Sequence, residues 1–473
     1  MVEIENRDII APEAAWHYRV IPGNIARDEL NLYIDELAVR ADLREELEIV
    51  IGRKIKLTTA PSEEIERELS AHYLAGKKGE QKESGEGVLS WNENDFMKEI
   101  IRKAQGLRSS DIHIEAYETK CRIRFRLDGR LMELAQIKKA DYPMLINRVK
   151  IMAGLDISEK RLPQDGRIHF KEAIENIDIR VSVLPTLYGE KIVLRLLGTS
   201  ASHLNLDDLG FSSKDLERYK EGISKPHGII LISGPTGSGK TTTLYATLKL
   251  LNRNSHNILT VEDPIEYTLD GINQSQVKED IGLTFSKILR SFLRQDPDII
   301  MVGEIRDAET ASLAVRAALT GHLVLSTIHT NSAWGTISRL VDMGIQPFLL
   351  SNTLNTSIAQ RLLRMLCPFC KKEEALDEML VPGLFKGKLG HSHYTPVGCK
   401  ECHFTGYKGR KAIYEVIPIE KEIGDLISSP ANESDHIFRS LGISTLQEGA
   451  LVLFLRGDTS LDEVYPFLLS NQF

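Results

Sequence analysis

The sequence lacks the features that would place a protein in a membrane or outside the cell. No apolar run in its 473 residues approaches the roughly 18 residues of a membrane-spanning helix. The first residues have neither the basic nor the apolar region of a signal peptide. Cysteine is scarce, with only five residues. We therefore expect a cytoplasmic protein whose cysteines are reduced or bound to metal rather than paired in structural disulfides.

An excess of positive charge is also missing. The chain has 59 basic and 67 acidic side chains, a formal charge of -8, so it has no overall attraction to nucleic acid or anionic lipid. Any such contact would have to be local. What is present, 42% apolar and 27% charged residues, is typical of a soluble globular protein. The length predicts about three domains.

The most informative segment is a glycine-rich loop between an apolar run at 229–232 and leucines at helical spacing after it. Its glycines allow a tight turn in which successive amides point at phosphate oxygens, and the following helix adds its dipole. An ordinary turn with an exposed lysine would not need these flanks. Lys240 is expected to reach the β- and γ-phosphates of a nucleoside triphosphate, and the Thr241 hydroxyl to bind Mg²⁺. The predicted nucleotide-binding residues are Gly234, Pro235, Thr236, Gly237, Ser238, Gly239, Lys240, Thr241 and Thr242.

Short apolar runs alternate with helical stretches between Leu204 and Leu366. The strand candidates are 229–232, 258–261, 299–302 and 323–325. This rhythm predicts an α/β fold with a parallel sheet and crossover helices, in which ligands bind at the carboxyl ends of the strands. The polar motifs fall at those ends.

Acidic residues follow two of these strands. Glu262, Asp263 and Glu266 come after the second, where carboxylates can hold Mg²⁺ through water or orient an attacking water. Such a loop is often only solvated surface, but Pro264 favours a shaped turn. After the third strand Gly303 takes the usual aspartate position and Glu304 follows. Glu304 is our first choice for general base or water-mediated metal ligand.

Two histidines flank the next strand. His322 stands at its start and is expected to be structural. His329 lies beyond its carboxyl end, where it could contact the γ-phosphate and report its loss. Which carboxylate is the general base is left open by the sequence.

The pattern before residue 204 is different. From 29 to 74 the chain looks helical and charged, and the polar stretch from 75 is a linker by composition. From about 91 the period is two: in 121–127 apolar residues alternate with Arg122, Arg124 and Arg126. This predicts an α+β domain with a cationic sheet face. On the residues alone, a solvated face explains those arginines best.

Four of the five cysteines form two Cys-x2-Cys knuckles. They are separated by residues 371–398, a spacing typical of a four-thiolate zinc site. Zn²⁺ would fold a segment too glycine-rich to build its own core. The second knuckle is followed by His403 and so also fits a haem-attachment pattern, which the partner knuckle disfavours. The predicted ligands are Cys367, Cys370, Cys399 and Cys402, whereas Cys121 is expected in a core.

Taken in order, these motifs resemble one family, the ATPases that power type II secretion and type IV pilus extension. The resemblance covers roughly residues 29–470 and extends to 110–115, 161–167, 178–182 and 184–191. It implies a homohexamer with ATP bound between the two halves of each core, a RecA-like P-loop domain preceded by an α+β PAS-like domain. It also implies that Arg167 and Arg180 swing onto the γ-phosphate, a role that suits a guanidinium fork, with Arg195 a weaker candidate.

The expected division follows from the resemblance. It comprises a small helical N-terminal docking domain (1–74), a flexible linker (75–90), an α+β domain with arginine fingers (91–203), a P-loop ATPase domain (204–366), a tetracysteine zinc insert (367–405) and a helical C-terminal subdomain (406–473). The implied partners are the inner-membrane platform protein and a bitopic docking protein, which would recruit the chain to the membrane from the cytoplasm.

Three functions stay open, and the first is an ATPase motor for secretion or pilus assembly. The cysteine insert disfavours a retraction motor, which lacks it in this family, but the motifs do not decide between type II secretion and pilus extension. A zinc-bearing nucleic-acid translocase would share the P-loop and the knuckles, although the acidity of the chain and its lack of basic-aromatic stripes disfavour nucleic acid as a partner. A scaffold that binds nucleotide without turnover is the third.

Overall fold

The computed structural model describes residues 9–10, 12–26, 29–40, 43–51, 53–72, 96–171, 176–197, 205–377, 385, 390–428 and 434–469. The chain divides into two compact units. The first comprises Met1–Glu86, Leu366–Glu374 and Tyr394–Lys408, and the second comprises Gly87–Met365, Ala375–His393 and Gly409–Phe473. Among the helices within these ranges, none is long and apolar enough to cross a membrane. The predicted linker at 75–90 lies outside the described residues.

The N-terminal part of the first unit is mixed rather than helical, so that prediction is wrong. Leu30, Leu32 and Ile34 alternate with polar residues and are all buried, which is the period of a strand. The first two strands pair antiparallel and the last two parallel, in the order β1-β2-β3. The elements are α1 (Pro12–Tyr18), β1 (Val20–Ala26), β2 (Glu29–Asp35), α2 (Leu43–Ile51), β3 (Ile55–Ala60) and α3 (Ser62–His72).

The second unit begins with a six-stranded sheet of order β6-β5-β4-β9-β8-β7 whose strand pairs are antiparallel. The predicted alternation is confirmed: Cys121, Ile123 and Phe125 are buried, and Cys121 is a core residue. The elements are α4 (Phe96–Gly106), β4 (Asp111–Ala116), β5 (Cys121–Leu127), β6 (Arg130–Ile137), α5 (Tyr142–Met152), β7 (Gln164–Lys171), β8 (Asn176–Thr186) and β9 (Gly189–Leu197).

The cationic face of this sheet is largely neutralised by buried acids. Glu115 accepts from Arg122 at 3.0 Å and Arg124 at 2.7 Å and pairs with Lys191 at 3.1 Å. Burial opposes its charge, but these three cations outweigh it and lower the pKa of Glu115 to about 2. The side of the face formed by β4 and β5 is thus an ion-pair network.

The rest of the second unit is built on a seven-stranded sheet of order β12-β11-β13-β14-β10-β15-β18. Its central pairs are parallel, and all four predicted strands are present as β10, β11, β13 and β14. In chain order, the elements from α6 to β15 are α6 (Ser213–Ile223), β10 (Gly228–Ser233), α7 (Lys240–Leu251), β11 (Ile258–Glu262), β12 (Asn273–Gln276), α8 (Phe285–Phe292), β13 (Ile299–Val302), α9 (Ala308–Leu319), β14 (Leu323–Ile328), α10 (Ala333–Asp342), α11 (Pro347–Thr353) and β15 (Leu354–Leu366).

The C-terminal segment contains a strand that the prediction of a helical subdomain missed. Residues 412–417 are buried in β18 at the sheet edge, and Glu415 among them breaks the apolar pattern. Helices follow only after this strand. The remaining elements are β16 (Lys372–Ala375), β17 (Ser392–Thr395), β18 (Tyr407–Pro418), α12 (Lys421–Ser428), α13 (Ser434–Ser440), α14 (Leu446–Leu455) and α15 (Leu461–Leu469).

Candidate functional site

The glycine-rich loop joins β10 to α7 at the centre of the sheet, between β14 and β15. Gly237 and Gly239 have φ of 82° and 89°, a region that only glycine enters without strain. A Cβ at Gly239 would lie 2.8 Å from Gln360 Nε2, and one at Gly234 would lie 2.6 Å from Gln360 O. Close packing on β15 therefore requires glycine at both ends of the loop. Helix α7 begins at Lys240, so its unpaired N-terminal amides face the loop.

The lysine of the loop is folded against its own backbone. Lys240 Nζ donates to Gly234 O at 2.7 Å and Pro235 O at 3.0 Å. Burial lowers the pKa of Lys240 to about 8, with the charge of Glu304 acting in the opposite direction. Ser238 Oγ is buried and finds no hydrogen-bond partner among the described residues. The partly buried ammonium of Lys240, the unpaired hydroxyl of Ser238 and the amides at the start of α7 are all groups that a bound phosphate would satisfy.

The first predicted acid, Glu262 at the end of β11, is buried in a network of neutral donors. The Tyr245 hydroxyl donates to its Oε2, while Thr260 Oγ1 at 2.6 Å and Gln274 Nε2 at 3.1 Å donate to its Oε1. At 3% exposure its carboxylate does not open toward the phosphate loop. Glu262 is thus more buried than the other acids predicted for the site, Asp263, Glu266 and Glu304.

A second acid, Glu304 at the end of β13, is placed differently. Its Oε1 accepts from Arg306, and its Oε2 lies 3.5 Å from His329 Nε2. Arg306 Nη1 also approaches Asp263 Oδ2 at 3.5 Å. The structure therefore joins the predicted Glu304 and Asp263 through one guanidinium that the sequence did not indicate, and brings His329 to Glu304. The electrostatic influence of Glu304 reaches Lys240.

The glycine before Glu304 has a packing reason. Gly303 N donates to Val261 O at 2.8 Å, and a Cβ at this position would lie 3.2 Å from that oxygen. A larger residue would push β13 away from β11. The close approach keeps the carboxyl ends of the two strands side by side.

Arg167 and Arg180 reach from the six-stranded sheet to the segment after β11. Arg180 Nη1 lies 3.3 Å from Glu266 Oε2, and Arg167 Nη2 donates to Gln276 Oε1 at 3.3 Å. Burial lowers the pKa of Arg180, with Glu266 opposing that shift. The structure does not place either guanidinium on the phosphate loop. The weaker candidate, Arg195, pairs with Asp111 at 3.0 Å.

The two histidines differ as their positions predict. His322 Nδ1 lies 2.7 Å from Ala317 O at the end of α9, which is a structural contact. His329 is exposed apart from its approach to Glu304. Thr241 and Thr242 are exposed at the start of α7, where the Thr241 hydroxyl can reach a ligand of the loop.

The four knuckle cysteines converge in the first unit. Their sulfur atoms all lie within 4.8 Å of one another. Backbone amides donate to them, Gly398 to Cys370 at 3.2 Å and Gly406 to Cys402 at 3.3 Å. Amide donors stabilise thiolates, and four thiolates at this separation can surround one tetrahedral metal ion. This arrangement fits a metal better than haem attachment, which would use two of the sulfurs.

Several residues that shape the site were not found from the sequence. Tyr245, Gln274, Gln360 and Arg361 hold the acids and the loop in place through contacts between distant parts of the chain. Only Tyr245 carries a signal, because it lies on the helix that begins at Lys240 and its position on α7 is buried.

Comparison with known proteins agrees with this geometry. A family model described as type II/IV secretion system protein matches residues 91–466. The chain is 51% identical over 373 residues to the type IV pilus assembly ATPase PilB of Myxococcus xanthus, covering 77% of this chain and 66% of that protein. It is 50% identical over 375 residues to type II secretion system protein E of Pseudomonas aeruginosa, covering 78% and 74%.

A similar fold is found among solved structures. The crystal structure of the pilus retraction motor PilT with bound ADP is 28% identical and superimposes with a TM-score of 0.54, covering 79% of this chain and 96% of that chain. The model match covers more than half of the sequence, and the Pseudomonas relative is covered over more than two thirds of its length. This chain therefore belongs to the type II/IV secretion system protein family.

Proposed function

We propose that the chain is a Mg²⁺-dependent ATPase motor that drives pseudopilus assembly and protein export in a type II secretion system. The observation that carries the proposal is the cluster of Glu304, Arg306 and His329 at the carboxyl ends of neighbouring strands, where the charge of Glu304 acts on Lys240 of the phosphate loop. This is where a parallel sheet binds ligands. The Pseudomonas relative bears the name of the corresponding secretion protein.

In this proposal the residues from Gly234 to Thr242 hold the triphosphate of ATP. Lys240 leaves its two backbone carbonyls for phosphate oxygens, and Ser238 gains the partner it lacks. The Thr241 hydroxyl holds Mg²⁺, which neutralises phosphate charge. Glu304 accepts a proton from the attacking water, and His329 lies beside it to contact the γ-phosphate.

The roles of Arg167 and Arg180 follow from where they now bind. Arg167 contacts the segment after β11 through one hydrogen bond to Gln276, and Arg180 through an ion pair with Glu266 and a hydrogen bond to Ile265 O. A more highly charged ligand can outcompete these contacts. We assign to the two arginines the stabilisation of charge on the transferred phosphoryl group. The movement of Arg167 and Arg180 from these contacts to the γ-phosphate couples hydrolysis to domain rotation within a homohexamer. Docking on the inner-membrane platform protein and a bitopic protein would then pass the rotation to the pseudopilus.

We also propose that the four cysteines bind one structural Zn²⁺. Three backbone-to-sulfur hydrogen bonds already support thiolate character in Cys370 and Cys402. Metal analysis of the purified chain should give one zinc per chain, and Cys370→Ser with Cys402→Ser should abolish it. Zinc content unchanged by these substitutions would contradict the site.

The central experiment replaces the lysine. Lys240→Ala should abolish ATP hydrolysis and weaken the binding of a fluorescent ATP analogue. Lys249→Ala, an exposed lysine at the other end of the same helix, is the matched control and should leave both unchanged. A wild-type hexamer that binds the analogue but releases no phosphate would indicate a scaffold instead. Stimulation of hydrolysis by DNA or RNA would favour a translocase.

Type IV pilus extension is the second candidate, because the Myxococcus relative with that assigned name is as similar as the secretion protein. The two functions share the motor and differ in the assembled fibre. Expression of this chain in strains that lack either motor distinguishes them. Restored export without restored pili supports the secretion proposal, and the reverse supports the alternative.

A further inference from the structure

We propose that Arg361 on β15 is a positioning residue that fixes the loop bearing His329 relative to the phosphate loop. The inference rests on the proposed ATPase function for its kinetic consequence. Its structural part concerns two loops that follow different strands, β10 and β14, and one side chain that touches both.

The contacts of Arg361 span the two loops. Its Nη2 donates to Asn331 O at 2.7 Å, two residues beyond His329. Its Nη1 donates to Gln360 O at 2.9 Å and lies against Gly234, where an added Cβ would be 3.0 Å away. A single planar guanidinium therefore packs on the first glycine of the phosphate loop and holds the His329 loop by its backbone.

The neighbouring residue holds the other end of the phosphate loop. Gln360 Oε1 accepts from Thr243 Oγ1 at 2.9 Å on the first turn of α7, and its Nε2 lies where it would meet a Cβ at Gly239 at 2.8 Å. Gln360 thus fixes the phosphate loop on β15. Arg361 adds the connection from this fixed point to the loop after β14.

Charge supports a dedicated role for this arginine. Both of its hydrogen bonds go to carbonyl groups, and in the described part of the chain its guanidinium is in no ion pair. Burial lowers the pKa of Arg361, with the more distant Glu415 opposing the shift. A partly buried cation bound only to carbonyls is costly to retain for packing alone. The planar fork, however, can donate in two directions at once, which lysine cannot do.

Other contacts also hold the His329 loop, and those of Thr330 stay within its own segment, to Ser332 O at 3.0 Å and Thr336 Oγ1 at 3.1 Å. Ser332 O accepts from Ser233 Oγ at 3.3 Å, and Ala333 N donates to Glu415 at 2.7 Å. These bonds fix the start of α10. The hydrogen bond from Arg361 ties the backbone of this loop to β15 at Asn331, two residues beyond His329.

The kinetic test combines Arg361→Ala with His329→Ala. Misplacement of a reacting group by about 1 Å can cost on the order of 100-fold in rate, so Arg361→Ala should lower kcat by about 10- to 100-fold. The KM for ATP should change by less than about threefold, because Lys240 and the loop amides are kept. In the His329→Ala background the same substitution should have little further effect on kcat. An equal loss in both backgrounds, or a loss confined to KM, would overturn the proposal.

A second measurement does not depend on turnover. Hydrogen exchange of the nucleotide-free protein should be several-fold faster at the amides of 329–332 in Arg361→Ala and in Arg361→Lys than in the wild type. Arg253→Ala, at an exposed arginine after α7, is the control and should change nothing there. Unchanged exchange at 329–332 in both variants, with melting temperatures near the wild-type value, sinks the positioning role. If the wild type fails to hydrolyse ATP, the function falls while the exchange result still decides the role of Arg361.

Discussion

The ends of β11 and β13 carry acids that look equivalent in the sequence and are not equivalent in the structure. Both strands are short, buried and parallel; β11 ends at Glu262, and Glu304 lies two residues beyond the end of β13. Glu262 is 3% exposed and is held by three neutral donors. The side chain of Glu304 is 18% exposed and contacts Arg306 and His329. Position at a strand end brings a carboxylate to the site, but its partners decide whether it can act there.

The difference lies in how easily those partners are exchanged. Of the donors to Glu262, Tyr245 and Thr260 are buried in the protein core and Gln274 is partly buried, so water and ligands have little access to their hydrogen bonds. The partners of Glu304 are half exposed, and a phosphate or water can replace them. We therefore interpret Glu262 as structural and Glu304 as the reactive group, which narrows the three-acid hypothesis that the sequence suggested.

The largest expected effect concerns turnover. Glu304→Gln keeps the shape of the side chain but removes its ability to accept a proton, so kcat should fall by about 1,000-fold while KM for ATP stays within a few-fold. Glu262→Gln should lower kcat far less. Steady-state phosphate release from both variants at saturating ATP measures this. Equal losses in the two variants would erase the distinction between the strand ends.

Stability should reverse the order of the two residues. Glu262→Ala leaves the buried donors Tyr245 and Thr260 and the partly buried donor Gln274 without their acceptor, and should lower the free energy of unfolding by about 3 kcal/mol. Glu304→Ala removes partly exposed ion pairs and should cost less than about 1 kcal/mol. Denaturant titrations of the two variants, compared with wild type, give both values. A Glu304 variant less stable than the Glu262 variant contradicts the proposed roles.

The pH dependence should distinguish the two acids through Lys240. With a pKa of about 8, Lys240 is charged below that pH and loses its proton above it. The pH dependence of kcat/KM reports the pKa values of groups in the free enzyme. We therefore expect kcat/KM to fall as the pH rises through about 8. Because the charge of Glu304 raises the pKa of Lys240, Glu304→Gln should move this limb to lower pH. Glu262→Gln should leave it in place.

A control for the assignment is Lys240→Arg, whose side chain does not titrate in this range. Binding of a fluorescent ATP analogue to the wild type should weaken as the pH rises through about 8, because Lys240 loses its charge. Binding to Lys240→Arg should not weaken in this range. A decline that persists unchanged would assign the limb to another group.

The sequence predicts the parts of this site that are local. The phosphate loop, the knuckles and the strands β10, β11, β13 and β14 each carry their signal within a few residues, and the structure contains them. Apolar runs with flanking turns are the strongest of these signals. The apolar run 299–302 likewise predicts that Glu304 follows β13.

Nonlocal features were not predictable in the same way. Strand β15 mixes Asn355, Thr356 and Gln360 into a buried segment, and β18 buries Glu415, so neither shows a clear period. Their polar side chains are satisfied by residues far away in sequence, as when Thr243 bonds Gln360. At the N-terminus the composition misleads in the opposite direction: Leu30, Leu32 and Ile34 lie in a charged stretch that looks helical, but their spacing is that of a strand.

The smallest expected effect on turnover concerns the hydrogen bonds that Tyr245 makes between α7 and the end of β11. The Tyr245 hydroxyl donates to Glu262 and accepts from Glu266 N at 3.3 Å, and burial together with the Glu262 charge raises the pKa of Tyr245, so it stays a donor at neutral pH. Tyr245→Phe keeps the ring and its edge-to-face contact with Tyr267, whose ring centroid lies 4.5 Å from that of Tyr245. The loss of one hydrogen bond to a charged group should cost about 1.5 to 3 kcal/mol, at or just below the loss for Glu262→Ala, with kcat changed by less than about threefold. A large fall in kcat without a fall in stability would show that the buried network takes part in turnover after all, and the contrast between the two strand ends would have to be redrawn.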